Sequence, residues 1–441
     1  MDTLPDRPKS ALDIVRDIWI GIGLPPYALE SVNLTGDGLG LPSSFKIGAL
    51  AQSTITLSAL SAALVHTVHM KSHIIPRITV PLRHAVTEFR SERYYSINDT
   101  PNQYAFSPVG GVHKTQDGYV RIHDAFPHHR DGALKLLGLE NNAKKADVAG
   151  AVAKWRAIDL ENKGIESGLV IGVLKSFEEW DKSTQAPYIS KFPVSIRRID
   201  TGSSSFQPAV DTKSFINRLP SQTQTKCLQG LRVLDLSRVI AGPLAGKTLA
   251  AHGADVLWVT APHLPDLPEV DVDMGRGKRT VQLDLRTPED RATLLALARD
   301  ADVFLQSYRP GALEALGLGP ADVAAVNSRI VYANLSAYGT GGPWAGRRGF
   351  DSIVQTGTGL NVAEAASFGN DAVAQKTLPC QALDHASGYL LATGINAALW
   401  KSSVEGGAWI VDVSLAGTGA YLRSLGQLPG KSGFECEDVT F

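Results

Sequence analysis

The sequence predicts an α/β protein, with an open, mostly parallel sheet over residues 228–441 and an α+β half over residues 1–200. Three observations carry this. Beyond residue 228, short apolar runs of strand length alternate with helical patterns. Residues 201 to 224, "TGSSSFQPAVDTKSFINRLPSQTQ", are rich in Ser, Thr, Gln and Pro without a sustained period, so 201–227 reads as a linker. Ahead of it, helical and hairpin signals are mixed irregularly.

In chain order, the first half offers a long helix near 46 to 68 and a basic stretch, "PLRHAVTEFRSERYY". A hairpin follows, "GGVHKTQDGYVRI" with its Asp117-Gly118 turn, and then two helices around 131 to 160. In the second half, "LRVLDLS" (231 to 237) and "ADVLWVT" (254 to 260) flank a helix, "LAGKTLAAHG", closed by Gly253. The right-handed crossover rule makes these two strands parallel. Further strand candidates are "TVQLDL" (280 to 285), "ADVFLQS" (301 to 307) and "IVYANLS" (330 to 336). Between them lie "PEDRATLLALARD", with acids in its first turn, and "PGALEALGLGPADVAAVN", with Pro at its start. A faint echo lays residues 48 to 64 on 382 to 399, so that Ala62-Ala63-Leu64 meet Ala397-Ala398-Leu399 and Ala49 meets Asp384. Duplication and shared helical composition both account for it.

Forty-three basic residues against 44 acidic leave a formal charge of −1, which excludes recruitment of nucleic acid or an anionic membrane by a global field. Three scattered cysteines, Cys227, Cys380 and Cys436, support neither a disulfide framework nor a four-ligand zinc site. The start lacks the basic-then-apolar order of a signal peptide. The apolar window 47 to 66 is broken by Gln52, Ser53, Thr54, Thr56, Ser58 and Ser61, as suits a buried helix better than a membrane span. The expectation is a cytoplasmic protein.

The loop "SRVIAGPLAG" lies where a nucleotide-binding sheet places its phosphate loop. It lacks G-x-G-x-x-G, and the next strand ends in Thr260 rather than an acid, which disfavours a dinucleotide dehydrogenase; Gly242-Pro243 alone also fits a plain helix start. Arg276, Lys278, Arg279 and Arg286 are either solvated strand ends or a cluster for a phosphorylated nucleotide. "GKS" at 430 to 432 is no P-loop, because Gly426 stands one residue too close. His123, Asp124, His128 and His129 lack helical metal spacing or a Cys partner, so no metal is expected. Asp384, at the start of an apolar helix, suits an N-cap. The cap is the first explanation, yet the same position suits a nucleophile, because the helix's positive end favours the carboxylate while apolar surroundings strip its water.

Several strings together resemble class III CoA-transferases, the family of formyl-CoA and carnitine CoA-transferases and α-methylacyl-CoA racemases. They are "LQGLRVLDLSRVIAGPLAGKTLAAHGADV", "GRGKRTVQLDLRTPED", "DADVFLQSYRPGALEALGLG", "NSRIVYANLSAYGTGGPWAGRRGFDSIVQ" and "ALDHASGYLLATGINAAL", then "VDVSL", in family order over 228 to 416. The first half resembles the family's later portion placed ahead of the sheet, as in long-form fungal relatives. The resemblance implies a Rossmann-like sheet, a coenzyme A thioester as substrate with no tightly bound cofactor, a carboxylate acceptor and an interlocked homodimer. It makes Asp384 the nucleophile that carries first the acyl group and then the coenzyme, with Asp351 as a supporting acid. For CoA it implies Arg238, Val239 and Ala241 in the first loop, Leu283 and Arg286 on the adenine side, Ser307-Tyr308 in place of an Asn-Phe pair, and Arg348 toward the phosphates. Gly110-Gly111 corresponds to a glycine loop over the thioester. Thr260 and Ala261 depart from the family's acidic and basic positions.

The resemblance also separates two chemistries. Racemases of the family need a second proton carrier, a histidine ahead of the "D-x-I" string, and here that place holds Phe350. Transfer is therefore expected, with acetyl-CoA or another short acyl-CoA in secondary metabolism as its setting. The alternatives are racemisation with His385 as second carrier, and a non-catalytic CoA-binding protein.

Overall fold

The computed structural model describes residues 9–102, 107, 109–200, 225–369, 374–436 and 438. Of the linker expected at 201–227, residues 201–224 lie outside the described residues. Its centre is a seven-stranded sheet in the order Arg279–Gln282, Asp255–Thr260, Arg232–Leu236, Val303–Gln306, Val331–Ser336, Trp409–Ser414 and Ser195–Arg198. The first six strands are parallel, in the order 3-2-1-4-5-6 of a doubly wound sheet. Both faces are buried, as parallel strands require. Val303 and Leu305 point into one core and Phe304 between them into another; Val331 and Ala333 alternate with Tyr332 in the same way.

Two strands of this sheet were not expected from the sequence. Trp409–Ser414 is a buried strand. Ser195–Arg198, from the first half, closes the sheet edge antiparallel to it. "SIRR" has no apolar alternation to announce it, because an edge strand needs only its backbone to pair. The expected helix pair around 131 to 160 is three helices, Pro127–Leu137, Lys145–Val152 and Ala157–Glu166, packed on the antiparallel strands Gly111–Lys114, Tyr119–Ile122 and Ile171–Val173. Residues 310 to 327 form only a turn, Glu314–Leu316, and a short helix, Pro320–Val326, separated by Gly317 at φ 71°.

The halves share one core. Ile47–Met70 and Ala382–Glu405 are both 24-residue helices buried over most of their length, and they pack against each other. Asn396 Nδ2 donates to Ser61 Oγ at 3.1 Å, and these two residues are 335 apart in sequence. That is the offset of the echo, which pairs Ala62 with Ala397. Each of these two helices is followed by a strand and then a helix: Ile78–Pro81 and Leu82–Glu88 after the first, Trp409–Ser414 and Leu415–Ser424 after the second. Those strands also pair in parallel with an earlier strand in each case, Val32–Thr35 and Val331–Ser336. The geometry favours duplication over coincidence, with Ala49 where the second copy carries Asp384.

Candidate active site

Asp384 does not cap its helix. The helix Ala382–Glu405 begins after Gln381, which makes no side-chain cap, and Asp384 is the third helical residue. The cap comes from a neighbouring helix, Asp351–Gly357. Asp351 Oδ2 accepts the amides of Leu383 at 2.8 Å and Asp384 at 3.0 Å, and its other oxygen takes a bond from Gln355. This satisfies first-turn donors that would otherwise be orphaned. It also frees the Asp384 side chain, 8% exposed, to face a cavity.

Close packing sets where that carboxyl points. At Gly388, one turn beyond Asp384, a Cβ would stand 2.7 Å from the carbonyl of Ala241, so only glycine lets the two helices approach this closely. The contact draws Asp384 toward the loop after Arg232–Leu236. There Val239 holds φ 72°, a left-handed conformation unfavourable for a β-branched residue. The Arg238 amide donates to Ser307 Oγ at 3.2 Å, tying this loop to the one after Val303–Gln306. These two loops flank the point where the strand order reverses, the place where open α/β sheets bind ligands.

The cavity, about 650 Å³, opens there. Arg238, Val239, Ala241, Ser307, Tyr308, Arg348 and Asp384 line it together. Asp351 does not; it lies beneath, 1% exposed. Leu283 and Arg286, expected on the adenine side, are not in this lining. Leu283 is buried in the core on the other face, and Arg286 turns to its neighbour Asp284 at 2.6 Å. Gly110 and Gly111 are not in the lining either; the Gly110 amide donates to Asp124 at 2.8 Å. Thr260 and Ala261 border a small adjoining space.

Other lining residues were missed: His263, Arg309, Arg347 and the pair His128-His129, which the sequence reading weighed only as metal ligands. Their signal was the basic cluster of "SYRPG" and "GRRGF" at two loop positions that only folding brings together. Among the described residues, Asp384 is the sole carboxyl in a lining that holds four arginines and three histidines. Arg348 donates to the Gly168 carbonyl at 2.7 Å, and Arg238 lies over the Phe126 ring at 5.0 Å. Burial, with His128, Arg348 and Arg238 nearby, lowers His129 to about 4, so its imidazole is neutral at physiological pH.

The two aspartates are shifted the other way. Burial raises Asp351 to about 6 against the pull of its hydrogen bonds. Burial, then the charges of Asp351 and Glu92, hold Asp384 well above the ordinary carboxyl range. A carboxyl perturbed by desolvation and like charge, at a cavity wall, is a candidate functional group. His385 points elsewhere. Fully buried, its Nε2 lies 2.9 Å from Glu92 Oε2, and it is not in the lining. Phe350 does line the cavity and stacks on His123 at 3.8 Å.

Residues 228–426 match the model of CoA-transferase family III. The segment holds the six-stranded parallel sheet, both loops at the switch point, and Asp384. The chain is 37% identical over 210 residues to a probable fatty acyl-CoA transferase, Rv3272, of Mycobacterium tuberculosis, covering 45% of this chain and 52% of that protein. It is 28% identical over 459 residues to acetyl-coenzyme A transferase nodX of Hypoxylon pulicicidum, covering 94% of this chain and 76% of the relative. A crystal structure of Rv3272 aligns at 37% identity with a TM-score of 0.43, over 45% of this chain and 56% of that one. The chain thus spans about half the length of the mycobacterial protein. The matched segment holds Asp384, Asp351 and the residues expected to bind CoA, while Phe126, His128 and His129 reach the cavity from the first half.

Proposed function

We propose that this protein is an acyl-CoA:carboxylate CoA-transferase with Asp384 as nucleophile. One observation carries the reading: among the described residues a single carboxyl, dried by burial, faces a cavity at the sheet's switch point that is lined mainly by arginine, histidine and apolar side chains, with Ser307, Ser336 and Tyr308 among them. Arg238, Arg309 and Arg348 suit the phosphates of coenzyme A, since guanidinium groups match phosphate oxygens geometrically. Leu335, Ala337, Phe350 and Leu415 offer an apolar wall to an acyl chain.

In this reading the ionised Asp384 attacks the thioester carbonyl, and the CoA thiolate leaves to give an aspartyl mixed anhydride. The thiolate then attacks the Asp384 carbonyl and expels the donor carboxylate, forming an aspartyl thioester. The acceptor carboxylate displaces the thiolate to form a second anhydride. Attack of the thiolate on the acceptor's acyl carbon yields the new acyl-CoA and restores Asp384. Dividing one exchange into four displacements replaces a hard step with easier ones. A short acyl donor and a secondary-metabolic setting extend the reading; the Hypoxylon relative bears acetyl-coenzyme A in its name. The reading also includes a cytoplasmic location and a homodimer, the latter checked by sedimentation.

Mass spectrometry after incubation with acyl-CoA and hydroxylamine tests it. A transferase acquires a hydroxamate at Asp384; an unmodified Asp384 returns the protein to CoA binding without catalysis.

A further inference from the structure

The structure assigns Glu92 and His385 as a positioning pair for Asp384, one member from each half of the chain, that holds the turn bearing the carboxyl and governs its charge. The pair deepens the transferase reading and rests on it for its kinetic consequence.

Glu92 stands on the short helix Ser91–Tyr94, 1% exposed, and reaches the residue directly after Asp384. Its carbonyl accepts from Asn102 Nδ2 at 2.8 Å, which fixes its backbone. The His385 ring is clamped from the side by Phe89, stacked at 5.4 Å, with Tyr389 stacked beyond it. The His385 amide closes the first helical turn on the Gln381 carbonyl at 3.0 Å. Asp384 is thus held between a backbone cap from Asp351 on one side and the anchored His385 on the other.

The charges facing this turn come from three elements. Asp351 stands on one neighbouring helix, with Arg121 acting on it. Glu92 and Arg93, 3.3 Å apart, come from the first half, and Arg90 beside them pairs with Asp438 at 2.5 Å. His385 and the buried thiol of Cys380 complete the set. Burial pushes Glu92 upward, but His385 and Arg93 outweigh it, so Glu92 stays ionised. That leaves a second permanent negative charge near Asp384. A buried hydrogen-bonded polar pair contributes little net stability compared with apolar packing. Its placement against the one cavity carboxyl gives it a task that packing alone does not require.

The test is Glu92→Gln, which retains size and can still bond His385. Infrared difference titration against Asp384→Asn reads the Asp384 carboxyl directly, without turnover. The midpoint should fall by roughly one pH unit, as expected for loss of a nearby like charge. The acid limb of the kcat/KM profile should move with it, while KM for acyl-CoA stays within about twofold, because Glu92 does not line the cavity. Glu92→Asp should restore most of the wild-type midpoint. If Glu92→Gln misfolds, Glu92→Met, which demands no hydrogen-bond partner, serves in its place. An unchanged Asp384 midpoint in the folded variant overturns the pair's role even if hydroxamate forms. A shifted midpoint without hydroxamate keeps the pair and removes the transferase.

Discussion

A single oxygen of Asp351 receives the amide of Asp384 at 3.0 Å, so the acid that caps the helix is also the nearest like charge to the proposed nucleophile. Capping and charge can be separated by substitution. Asp351→Asn retains an oxygen for the amides and removes the charge; its acid limb should move to lower pH with kcat within about tenfold of wild type. Asp351→Ala loses both amide bonds and should cost about 1–2 kcal/mol of stability in urea unfolding, with a further loss in rate. Equal behaviour of the two variants would remove the cap from the explanation.

Asp384→Asn should reduce CoA transfer by on the order of 10⁴-fold or more, as for loss of other covalent nucleophiles, and abolish hydroxamate formation. Coupled assays of acyl-CoA exchange read the first, and peptide mass spectra the second.

The same variant should change how stability depends on pH. A carboxyl whose folded pKa is raised contributes fully below the unfolded value and loses that contribution as pH climbs through the folded one. For Asp351 the window is about pH 4 to 6, and for Asp384 it extends higher. His123 and His129, lowered by burial to about 3 and about 4, act with the opposite sign below about pH 6.5. The total profile therefore mixes both, and the difference between wild type and Asp384→Asn isolates the aspartate. Melting curves from pH 4 to 8 should show the variant gaining on wild type as pH rises; parallel curves would contradict the raised pKa.

Val239→Gly should relieve a left-handed conformation that costs an L-residue roughly 1–2 kcal/mol, offset in part by glycine's greater freedom when unfolded. The net expectation is a gain of about 0.5–1 kcal/mol in unfolding free energy. KM for acyl-CoA should rise severalfold as the loop loses its fixed shape. Calorimetric unfolding and steady-state kinetics check the pair of effects.

Incubated with a 2-methylacyl-CoA in deuterated water, the wild-type protein should leave the α-carbon unlabelled. Phe350 lines the cavity where a second proton carrier would be needed, and His385 is turned to Glu92. Deuterium uptake would return the racemase.

The amino-acid sequence by itself determined the alternation of the second half, the long helix Ile47–Met70 and the chemistry open to Asp384, because these depend on local periodicity and on short strings of residues. It did not reveal the edge strand Ser195–Arg198, whose pairing is a backbone matter, nor that His128 and His129 share a cavity with Arg348. Whether Asp384 capped its helix or faced a cavity was undecided, since both uses place the same residue in the same turn. Tertiary structure removed the cap by bringing Asp351 from another helix to take the amides, with Glu92 from the other half flanking His385. Burial and like charge then act on a carboxyl left free of hydrogen-bonding duty, a condition that exists only once distant segments are packed together.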